Sequence, residues 1–120
     1  MSVPVDDRGS RAARNQSFFR QINERVNELN EAFSLVLPLG EWVCECADQS
    51  CIARIELSAA DYETVRQTGT RFVVAPGDAH VWPDVENVTE RYARYWVVEK
   101  LGEAARVSGE LDPRSGSATR

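Results

Sequence analysis

The chain has 120 residues, a formal charge of −5 and 42% apolar residues, which gives room for one compact domain with a modest core. Its acidic balance argues against broad binding to nucleic acid or anionic membrane, and no apolar run approaches the roughly 20 residues that span a bilayer. Met1 to Ser10 lacks the hydrophobic segment of a secretory signal, so the chain reads as cytoplasmic, a compartment in which thiols stay reduced.

Residues 1–10 contain Pro4, Gly9 and adjacent acids and read as a flexible lead, with the domain proper spanning 11–107. From about Ala12 to Phe33 the spacing predicts a long amphipathic helix. At 100° per residue Phe18, Phe19, Ile22, Val26, Leu29 and Phe33 fall within one arc of about 100°. Beside that stripe Asn23, Asn27 and Asn30 form a second row. Asparagine is a poor helix former, so the row is either a solvated flank or a face turned to a partner.

Glu41 to Cys46 alternates Trp42, Cys44 and Cys46 against Glu41, Val43 and Glu45, the pattern of a strand whose two thiols share a face. Ala47 to Ser50 is a polar turn returning Cys51 beside them, and Ile52 to Leu57 reads as the second strand of a hairpin. Ser58-Ala59-Ala60-Asp61 has the layout of a capping box, with Leu57 and Tyr62 placed as a hydrophobic staple. A short helix follows from Ala59 to about Gln67, closed near Gly69. Arg71 to Ala75 is β-rich and stops at Pro76-Gly77; Val85 to Arg91 and Tyr95 to Lys100 are further strands. From Ser108 onward Ser, Gly, Pro and charge dominate, so residues 108–120 read as a disordered tail. The fold class is α+β with a small, mainly antiparallel sheet.

The three cysteines, Cys44, Cys46 and Cys51, lie within eight residues, and the single histidine, His80, follows Pro76-Gly77. Three thiolates and an imidazole are the donor set of a structural zinc site, and they make a structural Zn²⁺ the expected cofactor. The histidine must be delivered by tertiary structure. Asp48, Asp78 or a water is the alternative fourth ligand. Such a site carries one negative charge, so backbone N–H groups aimed at sulfur, or a cation such as Arg54 or Arg71, should support it.

Arg14-Asn15-Gln16, Phe19-Arg20, Asn23-Glu24-Arg25, Cys44-Glu45-Cys46 with Cys51, Asp61-Tyr62-Glu63, Phe72 to Gly77 and Val97-Val98-Glu99-Lys100 occur in this order. Over roughly Arg11 to Val107 the chain resembles a small actinobacterial family of hypothetical proteins, a likeness that implies no particular activity. In similar sequences the histidine directly follows the Pro-Gly pair; here Asp78-Ala79 intervene, and Trp82-Pro83 lengthen the loop.

No catalytic motif is present: there is no His-Glu-x-x-His, no Gly-x-Ser-x-Gly and no phosphate-cradling glycine loop. The expected function is a regulatory or interaction module, with zinc fixing the hairpin and the long helix, the Asn row or Trp82 and Trp96 meeting a protein partner. One alternative is nucleic-acid binding through Arg8, Arg11, Arg14, Arg20 and Arg25. The other is a thiol redox sensor that releases its metal on oxidation.

Overall fold

The computed structural model describes residues 5–114. Helix α1 (Val5–Ala32) is followed by strands β1 (Gly40–Val43) and β2 (Arg54–Leu57), helix α2 (Ala59–Arg66), strand β3 (Arg71–Val74), a 3-10 turn (Asp78–His80), strands β4 (Glu86–Arg91) and β5 (Trp96–Lys100), and helix α3 (Gly102–Leu111). This is an α+β fold with two small antiparallel sheets. One pairs β1 with β2, Gly40 opposite Leu57 and Val43 opposite Arg54. The other has the order β3-β5-β4, with a bulge between Val88 and Glu90.

The chain itself stitches the two sheets together. The N–H of Cys44 still donates to Ala53 O across the hairpin at 3.0 Å, whereas that of Glu45, one residue on, donates to Val73 O of β3 at 2.8 Å. The hairpin strands are therefore shorter than their alternation predicts, because at Glu45 the backbone turns from β2 toward β3.

Local signals place α2 as expected. Ser58 Oγ accepts from the Asp61 N–H at 3.0 Å, capping the helix. Leu57 and Tyr62 are both buried, and Tyr62 stacks on Trp42 with ring centroids 4.1 Å apart. The Trp42 indole N–H donates to Leu57 O, so this aromatic pair is both packed and satisfied.

Both predicted ends need correction. Val5 to Ser10, read as a lead, form the first turns of α1; residues 1–4 lie outside the described residues. The expected tail likewise begins too early. Gly102–Leu111 is a helix, with Ala104, Val107 and Ser108 buried, while residues 115–120, also expected to be tail, lie outside the described residues. Small side chains explain α3: Ala104 and Val107 pack with Ala12, Ala13, Ala47 and Val85 in a second core cluster. A Cβ on Gly9 would sit 3.4 Å from Ala104 N, so α1 and α3 approach closely.

Beyond α3 the chain remains pinned. Asp112 pairs with Arg66 at 2.6 Å, and Arg114 reaches both Glu24 of α1 and Glu63 of α2 at 2.8 Å. Burial pushes the Glu24 and Asp112 carboxyls up, but hydrogen bonds and charge from Arg114 and Arg66 outweigh it, leaving both below their ordinary value. The hydrogen bond from Arg114 lowers Glu63 as well.

The largest surprise is the orientation of α1. Of its predicted stripe only Phe19 is buried; Phe18, Ile22, Leu29 and Phe33 are exposed. Past Ala12 and Ala13 and apart from Phe19, the buried residues of α1 are polar: Gln16, Ser17, Arg20, Asn23 and Asn27. The asparagine row is neither a solvated flank nor a free face, because Asn23 and Asn30 dock on the protein's own hairpin and Asn27 on Glu63 of α2. Asn23 accepts from the Val43 N–H and donates to Val43 O, both at 2.9 Å, as a neighbouring strand would. Asn30 donates to Glu41 O. Gly40 makes room for it, since a Cβ there would lie 2.4 Å from Asn30 Cγ.

Candidate metal centre

The hairpin tip and the loop after β3 bring the four predicted ligands together. One ligand atom from each of Cys44, Cys46, Cys51 and His80 lies within 4.8 Å of the other three. His80 Nδ1 is 3.7 Å from both Cys44 Sγ and Cys51 Sγ. Zinc bonds of roughly 2.0–2.3 Å to nitrogen and sulfur place tetrahedral ligand atoms roughly 3.5–3.8 Å apart. The donor set and its spacing fit a cation of that kind.

Each ligand has a local reason for its position. Cys44 and Cys46 share a face because they are two apart in extended backbone, and both are buried. The turn between them and Cys51 is tied by Asp48, whose carboxylate accepts from the Ser50 N–H at 2.9 Å and the Ser50 hydroxyl at 2.7 Å. Its carbonyl accepts from the Cys51 N–H at 3.0 Å. Gly77 has φ of 121°, a conformation that favours glycine. From it the 3-10 turn closes, His80 N–H donating to Gly77 O, and returns the imidazole to the sulfurs. Asp78 and Ala79, which separate the Pro-Gly pair from His80, are therefore taken up inside one helical turn.

The electrostatics of three close sulfurs are coupled. Cys46 is pushed down to about 5, first by the hydrogen bond from the Cys44 thiol and also by one from His80, against the opposing effect of burial. Cys44, which donates that bond and is buried, moves up, and burial raises Cys51. Without a cation the trio thus settles on one shared negative charge, and a divalent ion must displace the remaining thiol protons. The Ala75 N–H, 3.2 Å from Cys44 Sγ, supplies one expected N–H to sulfur bond. Neither predicted arginine fills the supporting role: Arg54 pairs with Glu41 and Arg71 with Glu99.

Sequence reasoning missed Glu45, the residue between two ligands. Alternation turns its carboxylate away from the sulfurs into the interior, where it is fully buried. There it accepts from the Val73 N–H at 3.1 Å, Asn23 at 2.9 Å and the Tyr62 hydroxyl at 3.1 Å. Nearby, Lys100 and Glu86 form a fully buried ion pair at 2.8 Å. Gln16 bridges the two acids, donating to Glu45 O and to Glu86 Oε1. The available signal was Glu45 itself, an acid flanked by two inward-facing positions.

Two surface features accompany this centre. A cavity of about 440 Å³ is lined by Arg8, Arg11, Arg14, Asn15, Asp48, Gln49 and Trp82, with Asp48 and Gln49 contributed by the cysteine loop. Arg8 lies 4.1 Å over the Trp82 ring and pairs with Asp84. On another side, the apolar stripe of α1 continues into the exposed Leu35, Val36, Leu37 and Leu39. No family model, curated protein or solved structure matches the chain. Among the described residues no helix is long and apolar enough to cross a membrane.

Proposed function

We propose that the protein is a small zinc-stabilised interaction module that binds a protein partner through the apolar face of α1. Four protein ligands complete a tetrahedron, which suits a structural ion rather than a catalytic one with an open position. The observation that carries the binding role is the exposure of Phe18, Leu29 and Phe33 along one stripe of α1 and its extension, and of Leu35 to Leu37 directly after it. Patches of that extent on a small protein mark interaction sites. The metal holds the hairpin against β3, and the hairpin in turn holds α1 through Asn23 and Asn30.

Elemental analysis tests the first half: one zinc per chain is expected, and Cys46→Ser should lower metal content and melting temperature together. Cobalt substitution should give thiolate charge-transfer absorption. Equal melting temperatures with and without a strong chelator would overturn the staple. Affinity should rise with pH, since binding releases protons from Cys44 and Cys51, whose thiols sit above the ordinary value.

A second reading, nucleic-acid binding, draws on the arginine-lined cavity. Arg14 makes no hydrogen bond or ion pair among the described residues, and Trp82 offers an aromatic surface nearby. Retention on heparin that weakens steeply with salt and is lost in Arg14→Ala would favour it. Absence of retention would remove it.

A further inference from the structure

We infer that the partner of the α1 face is a second copy of this chain, paired with it antiparallel about a two-fold axis between Arg25 and Val26. The inference rests on the interaction reading above and names its occupant. Phe18, Ile22, Leu29 and Phe33 are 59%, 36%, 64% and 54% exposed. Their spacing is symmetric: 18 and 33 lie equally far from the midpoint of this stretch, and so do 22 and 29. An axis at that midpoint sets Phe18 opposite Phe33 of the second copy and Ile22 opposite Leu29 of the second copy. A closed two-fold contact needs this kind of self-complementary patch.

Charge decides the direction. Arg11 and Arg14 also lie on or beside the stripe, on the turns before Phe18. Parallel pairing would put these arginines against their own copies, whereas antiparallel pairing moves the two Arg14 residues about 35 Å apart at 1.5 Å rise per residue. It also lays the exposed aliphatic segment Leu35–Leu37 of one copy along the arginine-bearing turns of the other, where aliphatic stems can cover it. Arg25, at the centre, comes within two residues of register with Glu28 of the second copy, which offsets its approach to Arg25 of the second copy.

The available area is adequate. Seven large apolar side chains between Phe18 and Leu37 are exposed by a third or more. Together they offer on the order of 800 Å² per copy, one partner's share of a standard interface.

Sedimentation equilibrium of the metal-loaded full chain tests the proposal. The native chain should be a dimer at micromolar concentration. Ile22→Glu and Leu29→Lys should each raise the dissociation constant about 100-fold or more, since each strikes the interface twice. The double variant I22E/L29K should regain the dimer, because the introduced carboxylate at 22 then meets the introduced ammonium at 29 of the second copy. In parallel pairing like charges would meet, and the double variant would stay monomeric. Metal content and melting temperature, read on every variant, confirm folding.

A monomeric native chain, single variants that remain dimers, or a double variant that fails to recover would each overturn the inference. A monomer that still binds a different protein, and loses that binding in Leu29→Lys, would sink self-pairing while leaving the interaction role intact.

Discussion

Helix α1 presents two faces that reverse the usual division of labour. The side against the domain carries Gln16, Arg20, Asn23 and Asn27, while the side toward solvent carries Phe18, Leu29 and Phe33. The buried side is held by hydrogen-bond matching. A side-chain amide has the same donor and acceptor as a peptide unit, so Asn23 supplies to Val43 what a third strand would have supplied. An apolar periodicity thus reports that a helix has two unlike faces, without saying which of them the rest of the chain covers.

Substitutions on the two faces should differ accordingly. The largest effect belongs to Glu45→Ala, which strands the Val73 N–H, the Tyr62 hydroxyl and the Asn23 amide at once; a loss of about 3–5 kcal/mol in urea unfolding is expected. Metal affinity should fall with it, because Glu45 fixes the backbone between two ligands. Asn23→Ala leaves Val43 unpaired on both backbone groups and should cost about 2–3 kcal/mol. Should it prove neutral, docking by amide matching would be wrong.

A smaller effect separates the strap at the C-terminal end from both faces. Glu24, Glu63 and Asp112 are held below their ordinary values. Their contribution is therefore complete above the unfolded carboxyl range, about pH 4, and fades as pH falls through the lower folded values. Arg114→Ala should remove about 1 kcal/mol at neutral pH, since the cluster is partly exposed, and flatten that acid dependence. The smallest change belongs to Leu29→Ala. Dilute enough to be monomeric, this variant should unfold within about 0.5 kcal/mol of the native chain; a larger loss would mean that the apolar face packs internally after all.

What could be read in advance follows the same split. The four candidate ligands, the hairpin and the α2 cap depend on alternation and near-neighbour spacing, which sequence displays directly. The closure of His80 onto the sulfurs required only a glycine-based turn after Pro76, and that turn was visible. Helix α3 was hidden because Gly102, Ala104, Ala105, Ser108 and Gly109 have the composition of a tail. The smallness of one of them, Ala104, set against Gly9, Ala12 and Ala13, is what lets α3 approach α1. The Glu86–Lys100 pair was hidden for a different reason: two ordinary charges are buried only because the bulged strand and β5 place them face to face.

Between Cys44 and Cys46 the main chain changes neighbours within a single residue, from Ala53 to Val73. One amino acid added or removed there would reverse the alternation, sending a thiol into the pocket that holds the Glu45 carboxylate and the carboxylate toward the metal ligands. Natural variation in chain length should accordingly be barred from this dipeptide step and tolerated at Gln49, where the turn is exposed.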